Sequence, residues 1–284
     1  MNTTPRRTLV LYHANCNDGF GAAWAAYTHP DLGPEAEYVP VQYGDTPPDV
    51  TEAMVYILDF SFPADVLRAM AAQAYEVVLL DHHVTAEENL AGLRNYEVPN
   101  LHILFDRERS GAVISWDVFH PAEEVPVLLQ YVQDRDLWRW ELPLSHEVNA
   151  GLTLYPHDFA EWSRLASEGG IEELVTAGAV ALKREQQMVA SISKKAGTMT
   201  IGGHIVPAVN SAVLQSEIGH ALGEGVLFSA VYFLMQDKAV VSLRSREDGA
   251  DVQAIAKQYG GGGHTHAAGF SVSHAELIRM LEGA

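Results

Sequence analysis

The chain has 284 residues, about twice the ~150 of one typical domain, so the starting expectation is two domains. It is 48% hydrophobic and 19% charged, which excludes wholesale disorder, and no run approaches the ~18 apolar residues needed to cross a bilayer. Eighteen basic against thirty-seven acidic residues give a formal charge of −19, which repels long polyanions; tight binding to duplex DNA or long RNA rests on many Lys/Arg–phosphate contacts. A small phosphorylated substrate held by a few groups and a metal is compatible with that charge. The apolar stretch after Met1–Arg7 is too short for the core of a signal peptide. The single cysteine, Cys16, excludes a disulfide framework and a cysteine-built zinc site, and fits a reducing cytoplasm.

In chain order, Arg7–His13 reads as a short buried strand and Asp18–Thr28 as a small-residue helix directly after it. Strands recur at Ala53–Asp59 and Glu76–Leu80, with a helical stretch Ala64–Gln73 between them. Near-continuous apolar strands alternating with helices argue for a parallel sheet covered on both faces. Ser110–Gln133 has helical spacing, and Ile171–Lys195 reads as a long amphipathic connecting helix. Beyond it, Thr198–Val209, Val226–Met235 and Lys238–Arg244 read as strands, with short helices at Glu217–Leu222 and Asp251–Gln258. The expected fold class is α/β. Residues 1–195 form a parallel-sheet domain with helices on both faces and end in the connecting helix; residues 196–284 form a smaller α/β domain.

In such sheets ligands gather at the carboxyl ends of the strands, so the polar residues that close each strand matter most. Asp81-His82-His83 follows an apolar strand, and three consecutive metal-capable side chains there suit a divalent ion such as Mn²⁺ or Zn²⁺. Asp59 ends a second strand; a carboxylate placed after four apolar residues needs a partner if buried. The third strand end is His13-Ala-Asn-Cys-Asn-Asp18-Gly19. A fourth piece, Asp134-Arg135-Asp136, breaks a helical run. Together these supply His13, Asp18, Asp59, Asp81, His82 and Asp134 as candidate ligands, the N/O set that a two-metal hydrolytic centre asks for. In the second domain, the run Gly260–Gly263 followed by His264 offers backbone N–H groups to an anion, and Arg244 offers a bidentate fork to a phosphate.

LLDHHVT with the downstream GGGGHTHAAGF resembles the DHH phosphoesterase superfamily in its two-domain form, which includes RecJ-type exonucleases and nanoRNases. The resemblance implies that Asp59 bridges metals, that Asp81 and His82 are ligands, and that His83 contacts the phosphate. It favours Asp134 over Asp136 as the fourth-motif ligand and marks Ser110-Gly111-Ala112 as an element near the site. It assigns Arg244, Ser245, Gly262, Gly263 and His264 to the substrate, with Asp81 and His83 as catalytic groups. The first motif, HANCNDG, departs from the family, which places two aspartates there; here only Asp18 is acidic, which implies one ion held more weakly. The expected function is therefore hydrolysis of phosphodiester or phosphomonoester bonds in short oligonucleotides or small nucleotides. One or two Mn²⁺ ions would serve, with Mg²⁺, Zn²⁺ or Co²⁺ as alternatives. Partners other than substrate are not expected, save a possible homodimer. The alternatives are a pyrophosphatase or exopolyphosphatase-like enzyme, or a catalytically weakened nucleotide-binding protein.

Overall fold

The computed structural model describes residues 6–93 and 98–283, so residues 1–5 of the Met1–Arg7 stretch lie outside the description. The chain divides into two compact units, Met1–Leu182 and Lys183–Ala284. In the first unit the elements run β1 (Thr8–His13), α1 (Asn17–Thr28), β2 (Glu37–Val41), β3 (Met54–Leu58), α2 (Ala64–Ala71), β4 (Glu76–Asp81), α3 (Val84–Leu90), β5 (Leu101–Phe105), α4 (Gly111–Phe119), α5 (Val127–Asp136), α6 (Ser145–Leu152), α7 (Phe159–Leu165) and α8 (Gly170–Ser193). The division between the units falls within α8, and the expected boundary near residue 195 falls just past its end.

The five strands pair in the order β2-β1-β3-β4-β5, every pair parallel. Alternation along the strands sends side chains to two cores. Val10, Leu58 and Leu80 pack under α1, α4 and α5 with Phe20 and Trp162, whereas Leu9, Leu11, Ile57 and Leu79 face α2 and α3 with Leu67 and Leu90. Each of these is at most 4% exposed, and burying a leucine or phenylalanine contributes about 1.5–3 kcal/mol, so the sheet is held from both faces. The two edge strands carry weaker signals: β2 contains Pro40 and is half-exposed, and β5 alternates buried with exposed. The helical stretch expected over Ser110–Gln133 is two helices, because Pro121 and Pro126 interrupt the ladder between α4 and α5.

The second unit continues with β6 (Gly197–Ile201), β7 (His204–Asn210), α9 (Gln215–Leu222), β8 (Ser229–Leu234), β9 (Ala239–Arg244), α10 (Val252–Lys257), β10 (Gly262–His264), β11 (Ala267–Val272) and α11 (His274–Glu282). Its six strands run in the order β10-β11-β9-β8-β7-β6, antiparallel except for β7 with β8. The single strand expected over Thr198–Val209 is a hairpin turning at Gly202 and Gly203, both at positive φ. One face of this sheet buries Met199, Val241, Leu243 and Phe270 against α10 and α11; the other buries Val209 and Val231 with Ile218 of α9.

Candidate active site

Because β1, β3 and β4 are parallel neighbours, their carboxyl ends open side by side. The chain leaves β1 towards β2 and returns on the other side at β3, which makes the β1/β3 end a topological switch point, where such folds form ligand crevices. His13 closes β1, Asp59 follows β3, Asp81 closes β4, and His82 and His83 come next. His82 Nε2 stands 3.2 Å from Asp59 Oδ1, 3.7 Å from Asp18 Oδ2 and 3.4 Å from Asp136 Oδ2. His13 Nδ1 lies 3.6 Å from Asp59 Oδ2. Asp81 Oδ1 accepts the His82 N–H at 2.7 Å, the His83 N–H at 3.2 Å and the His83 ring Nδ1–H at 2.7 Å, so this carboxylate fixes the turn that presents both histidines.

Asp18 sits in the first turn of α1, and its two oxygens accept the N–H groups of Gly111 at 2.6 Å and Ala112 at 3.0 Å. This carboxylate therefore rests on the N-terminus of α4, where helix N–H groups and dipole favour an anion. The close approach explains two glycines. A Cβ on Gly111 would fall 2.5 Å from the Asp59 Cβ, and one on Gly19 would fall 2.3 Å from the His13 carbonyl oxygen. Asp59 itself has φ +55°, a left-handed conformation unusual outside glycine and the kind of local strain that surroundings sustain at functional sites.

Asp134 is not in this cluster. Its carboxylate accepts the N–H groups of Glu141 at 2.9 Å and Leu142 at 3.2 Å, and its carbonyl those of Arg139 at 2.8 Å and Trp140 at 3.3 Å. It clamps a turn in which Trp138 and Trp140 both take φ +57°. Asp136, at the end of α5, is the acid that reaches His82. The sequence signal for it was present in the second acid of Asp134-Arg135-Asp136.

The electrostatics are those of crowded carboxylates, with Asp18 and Asp59 buried and Asp136 at the exposed rim. Burial, with the charges of Asp59 and Asp136, pushes the Asp18 pKa well up, and burial together with Asp59 raises Asp136. Asp59 is held well below the usual carboxylate range because, against burial, His13 and His82 stand beside it. Burial alone would lower His82, but Asp59, Asp136 and Asp18 push it up to about 11. Burial likewise opposes charge on His83, and Asp81 overcomes it and raises that pKa. Burial and the same carboxylates push the Cys16 thiol well up, so it is a thiol and not a nucleophilic thiolate.

These residues fit a divalent cation. Among the described residues, Asp59, Asp81, His82 and His83 each offer a ligand atom within 4.8 Å of the others; so do Asp18, His82 and Asp136, and also His13, Cys16 and Asp59. His13 Nδ1, Asp59 Oδ1 and Asp81 Oδ2 are buried atoms without a hydrogen-bond partner, a costly arrangement that an ion would satisfy. Imidazole and carboxylate donors suit Mn²⁺, Mg²⁺ or Zn²⁺.

Beside the cluster lies an open pocket of about 490 Å³ lined by Asn15, Cys16, Asn17, Arg135, Tyr155 and His157, among others. His157 Nε2 donates to Asn17 Oδ1 at 2.9 Å, and its ring stacks on Phe20 at 4.8 Å with an interplanar angle of 7°. Burial lowers the His157 pKa, which favours the neutral ring. The contacts of His157 with Asn17 and Phe20 join residues far apart in the chain and carry no signal in sequence spacing.

In the second unit, Arg244 ends β9 and Ser245 follows it, while Gly262, Gly263 and His264 form β10, one strand removed across β11. Arg244 is half-buried, and donates from Nη2 to Ser216 Oγ at 2.7 Å and from Nη1 to the Leu243 carbonyl at 2.8 Å. Ser245 Oγ lies 3.0 Å from His266 Nδ1. The glycine run is a tight hairpin and not an open loop: a Cβ on Gly263, φ +138°, would fall 2.5 Å from the Ala267 carbonyl oxygen.

Residues 205–282 match the DHHA1 domain family. An uncharacterized protein of Acanthamoeba polyphaga mimivirus is 28% identical over 93% of this chain and 67% of its own length. Among solved structures, the DHH domain of a member of a ribosomal-protein family superposes with a TM-score of 0.55 at 13% identity, covering 98% of this chain and 86% of that one. A pGpG-specific phosphodiesterase from Vibrio cholerae superposes with a TM-score of 0.50 at 14% identity, covering 98% and 97%. The match over residues 205–282 is to the DHHA1 domain, and the fold of the chain is like that of the DHH-domain structure, with Asp81-His82-His83 at the end of β4.

Proposed function

We propose that this protein is a metal-dependent phosphohydrolase that cleaves phosphodiester or phosphomonoester bonds of short oligonucleotides or small nucleotides. The observation that carries the reading is the convergence of Asp18, Asp59 and Asp136 on His82 Nε2, within 3.2 to 3.7 Å, at the switch point of the parallel sheet. His13, Asp18, Asp59, Asp81, His82 and Asp136 would hold the divalent ion, Mn²⁺ in first place. When bound, the ion activates water and offsets charge on the phosphoryl oxygens. Asp81 raises the His83 pKa, so the protonated ring can donate to a phosphate oxygen. Arg244, Ser245, Gly262, Gly263 and His264 would hold a further phosphate of the substrate. The fold-related Vibrio cholerae enzyme is named for a dinucleotide, and the −19 charge favours a short substrate over a long polyanion.

The test is turnover by the full chain, stripped with chelator and reloaded with Mn²⁺, Mg²⁺, Zn²⁺ or Co²⁺ in turn. The substrates are pApA, phosphoadenosine phosphate and pyrophosphate. Metal-dependent release of nucleotide or phosphate from either of the first two supports the reading. Turnover of pyrophosphate alone would make it a pyrophosphatase, and binding of pApA without turnover under any ion would make it a nucleotide-binding protein.

A further inference from the structure

A series of stacked rings reaches the pocket beside the metal cluster through one member, His157. Tyr27 stacks on Phe159 at 4.3 Å, Phe159 on Phe20 at 4.9 Å, and Phe20 on His157 at 4.8 Å, with interplanar angles of 6°, 17° and 7°. This run of near-parallel rings passes through the buried Phe20 and ends at His157, which is exposed and lines the pocket. Its orientation is fixed twice, by the stack on Phe20 and by the hydrogen bond to Asn17 Oδ1 at 2.9 Å. Because the amide oxygen can only accept, Nε2 carries the proton, and in the neutral ring Nδ1 keeps its lone pair as an acceptor. The amides of Asn15 and Asn17 and the guanidinium of Arg135 share the pocket. Its volume of about 490 Å³ lies within the ~300–1,000 Å³ of small-molecule sites. Cys16 lines it too, and Cys16 Sγ lies within 4.8 Å of a ligand atom of both His13 and Asp59, so the pocket adjoins the place where phosphate chemistry would occur.

We infer that this pocket receives the base of a nucleotide, which stacks on His157 as the next ring of the series, and that Asn17 is the positioning residue that holds His157 for it. A planar heteroaromatic with hydrogen-bonding edges matches both the exposed imidazole and the amide groups beside it; base–aromatic stacking tolerates any base because each has a π-face. The inference explains why the first motif carries an asparagine at position 17: a neutral amide orients His157 without charging it. It rests on the reading of the enzyme as one acting on nucleotides.

The test compares equilibrium binding of adenosine 5′-monophosphate and ribose 5-phosphate, titrated calorimetrically into the full chain with saturating Mn²⁺. The two probes share a phosphate and a sugar and differ in the base. The wild type is expected to bind the nucleotide about tenfold more tightly. His157→Ala brings the two affinities to near parity, and His157→Phe, which keeps the aromatic face, retains the preference. Asn17→Ala narrows the preference by loosening the ring. Equal affinities in the wild type, or an undiminished preference in His157→Ala, overturns the inference. Binding does not depend on turnover, so failure to hydrolyse pApA sinks the phosphohydrolase reading separately, while turnover without base preference sinks only the pocket.

Discussion

Asp134 and Asp136 stand two residues apart in the last turn of α5 and face different structures: Asp134 accepts the N–H groups of Glu141 and Leu142, and Asp136 reaches His82 Nε2 at 3.4 Å. At about 100° per residue, a separation of two turns a side chain through about 200°, to the opposite side of the helix. One acid holds the turn that ends the helix; the other completes the acidic cluster.

The pair makes a discriminating experiment. Asp136→Asn is expected to weaken Mn²⁺ binding and to lower activity by at least an order of magnitude while leaving the fold intact. Asp134→Asn keeps metal affinity but loses stability, by about 1 kcal/mol, because an amide leaves one of the N–H groups of Glu141 and Leu142 without its acceptor. Calorimetric Mn²⁺ titration and denaturant unfolding read the two effects. Loss of metal by Asp134→Asn with an unchanged unfolding curve would restore Asp134 as a ligand.

Ion binding should be visible in stability. A ligand that binds only the folded state at a hundred times its Kd adds about 2.7 kcal/mol, so Mn²⁺ should raise the thermal midpoint of the stripped protein by several degrees, reversibly with chelator. Asp59→Asn should abolish that shift along with activity. Asparagine is chosen because it tolerates the φ of +55° that an alanine would resist. A full Mn²⁺ shift in this variant would remove Asp59 from the centre.

Gly111→Ala tests the packing behind the site. Its Cβ would land 2.5 Å from the Asp59 Cβ, too close without backbone movement, whereas nothing lies within 4 Å of a Cβ at Gly197. Overpacking of this kind costs about 1–3 kcal/mol. A displacement of about 1 Å at a catalytic carboxylate can cost on the order of 100-fold in rate. Gly111→Ala is therefore expected to lose both stability and activity, and Gly197→Ala neither. Circular dichroism melts and turnover of pApA provide the comparison; an active, stable Gly111→Ala protein would show that α4 does not press on Asp59.

What the sequence disclosed and what it withheld follow from the range of the forces involved. Apolar strands such as Glu76–Asp81, and the polar residues closing them, are legible because strand burial and the parallel topology put every carboxyl end at one edge. The edge strands β2 and β5 lack a continuous apolar run, since only part of each is covered. The choice between Asp134 and Asp136 depended on where α5 ended and on a turn closed by Trp138 and Trp140 at positive φ, which composition does not announce. The stack of Phe20 with His157 joins residues far apart in the chain, and no local periodicity encodes such a contact.

Asn17 and His157 are joined by one side-chain hydrogen bond, so a charge placed at position 17 acts directly on the ring. In the wild type, burial holds the His157 pKa below the ordinary histidine value. Asn17→Asp replaces the amide oxygen that accepts from Nε2 at 2.9 Å by a carboxylate, and an opposite charge at that distance favours the protonated ring. The His157 pKa should therefore rise, by about one unit or more, so that the imidazole becomes charged near neutral pH in the variant and stays neutral in the wild type. Proton NMR of the His157 ring across a pH titration of the chelated protein reads it directly, the signal being assigned by its absence in His157→Phe. An unchanged pKa in Asn17→Asp would mean that the two side chains do not meet in solution, and that position 17 is left to the metal.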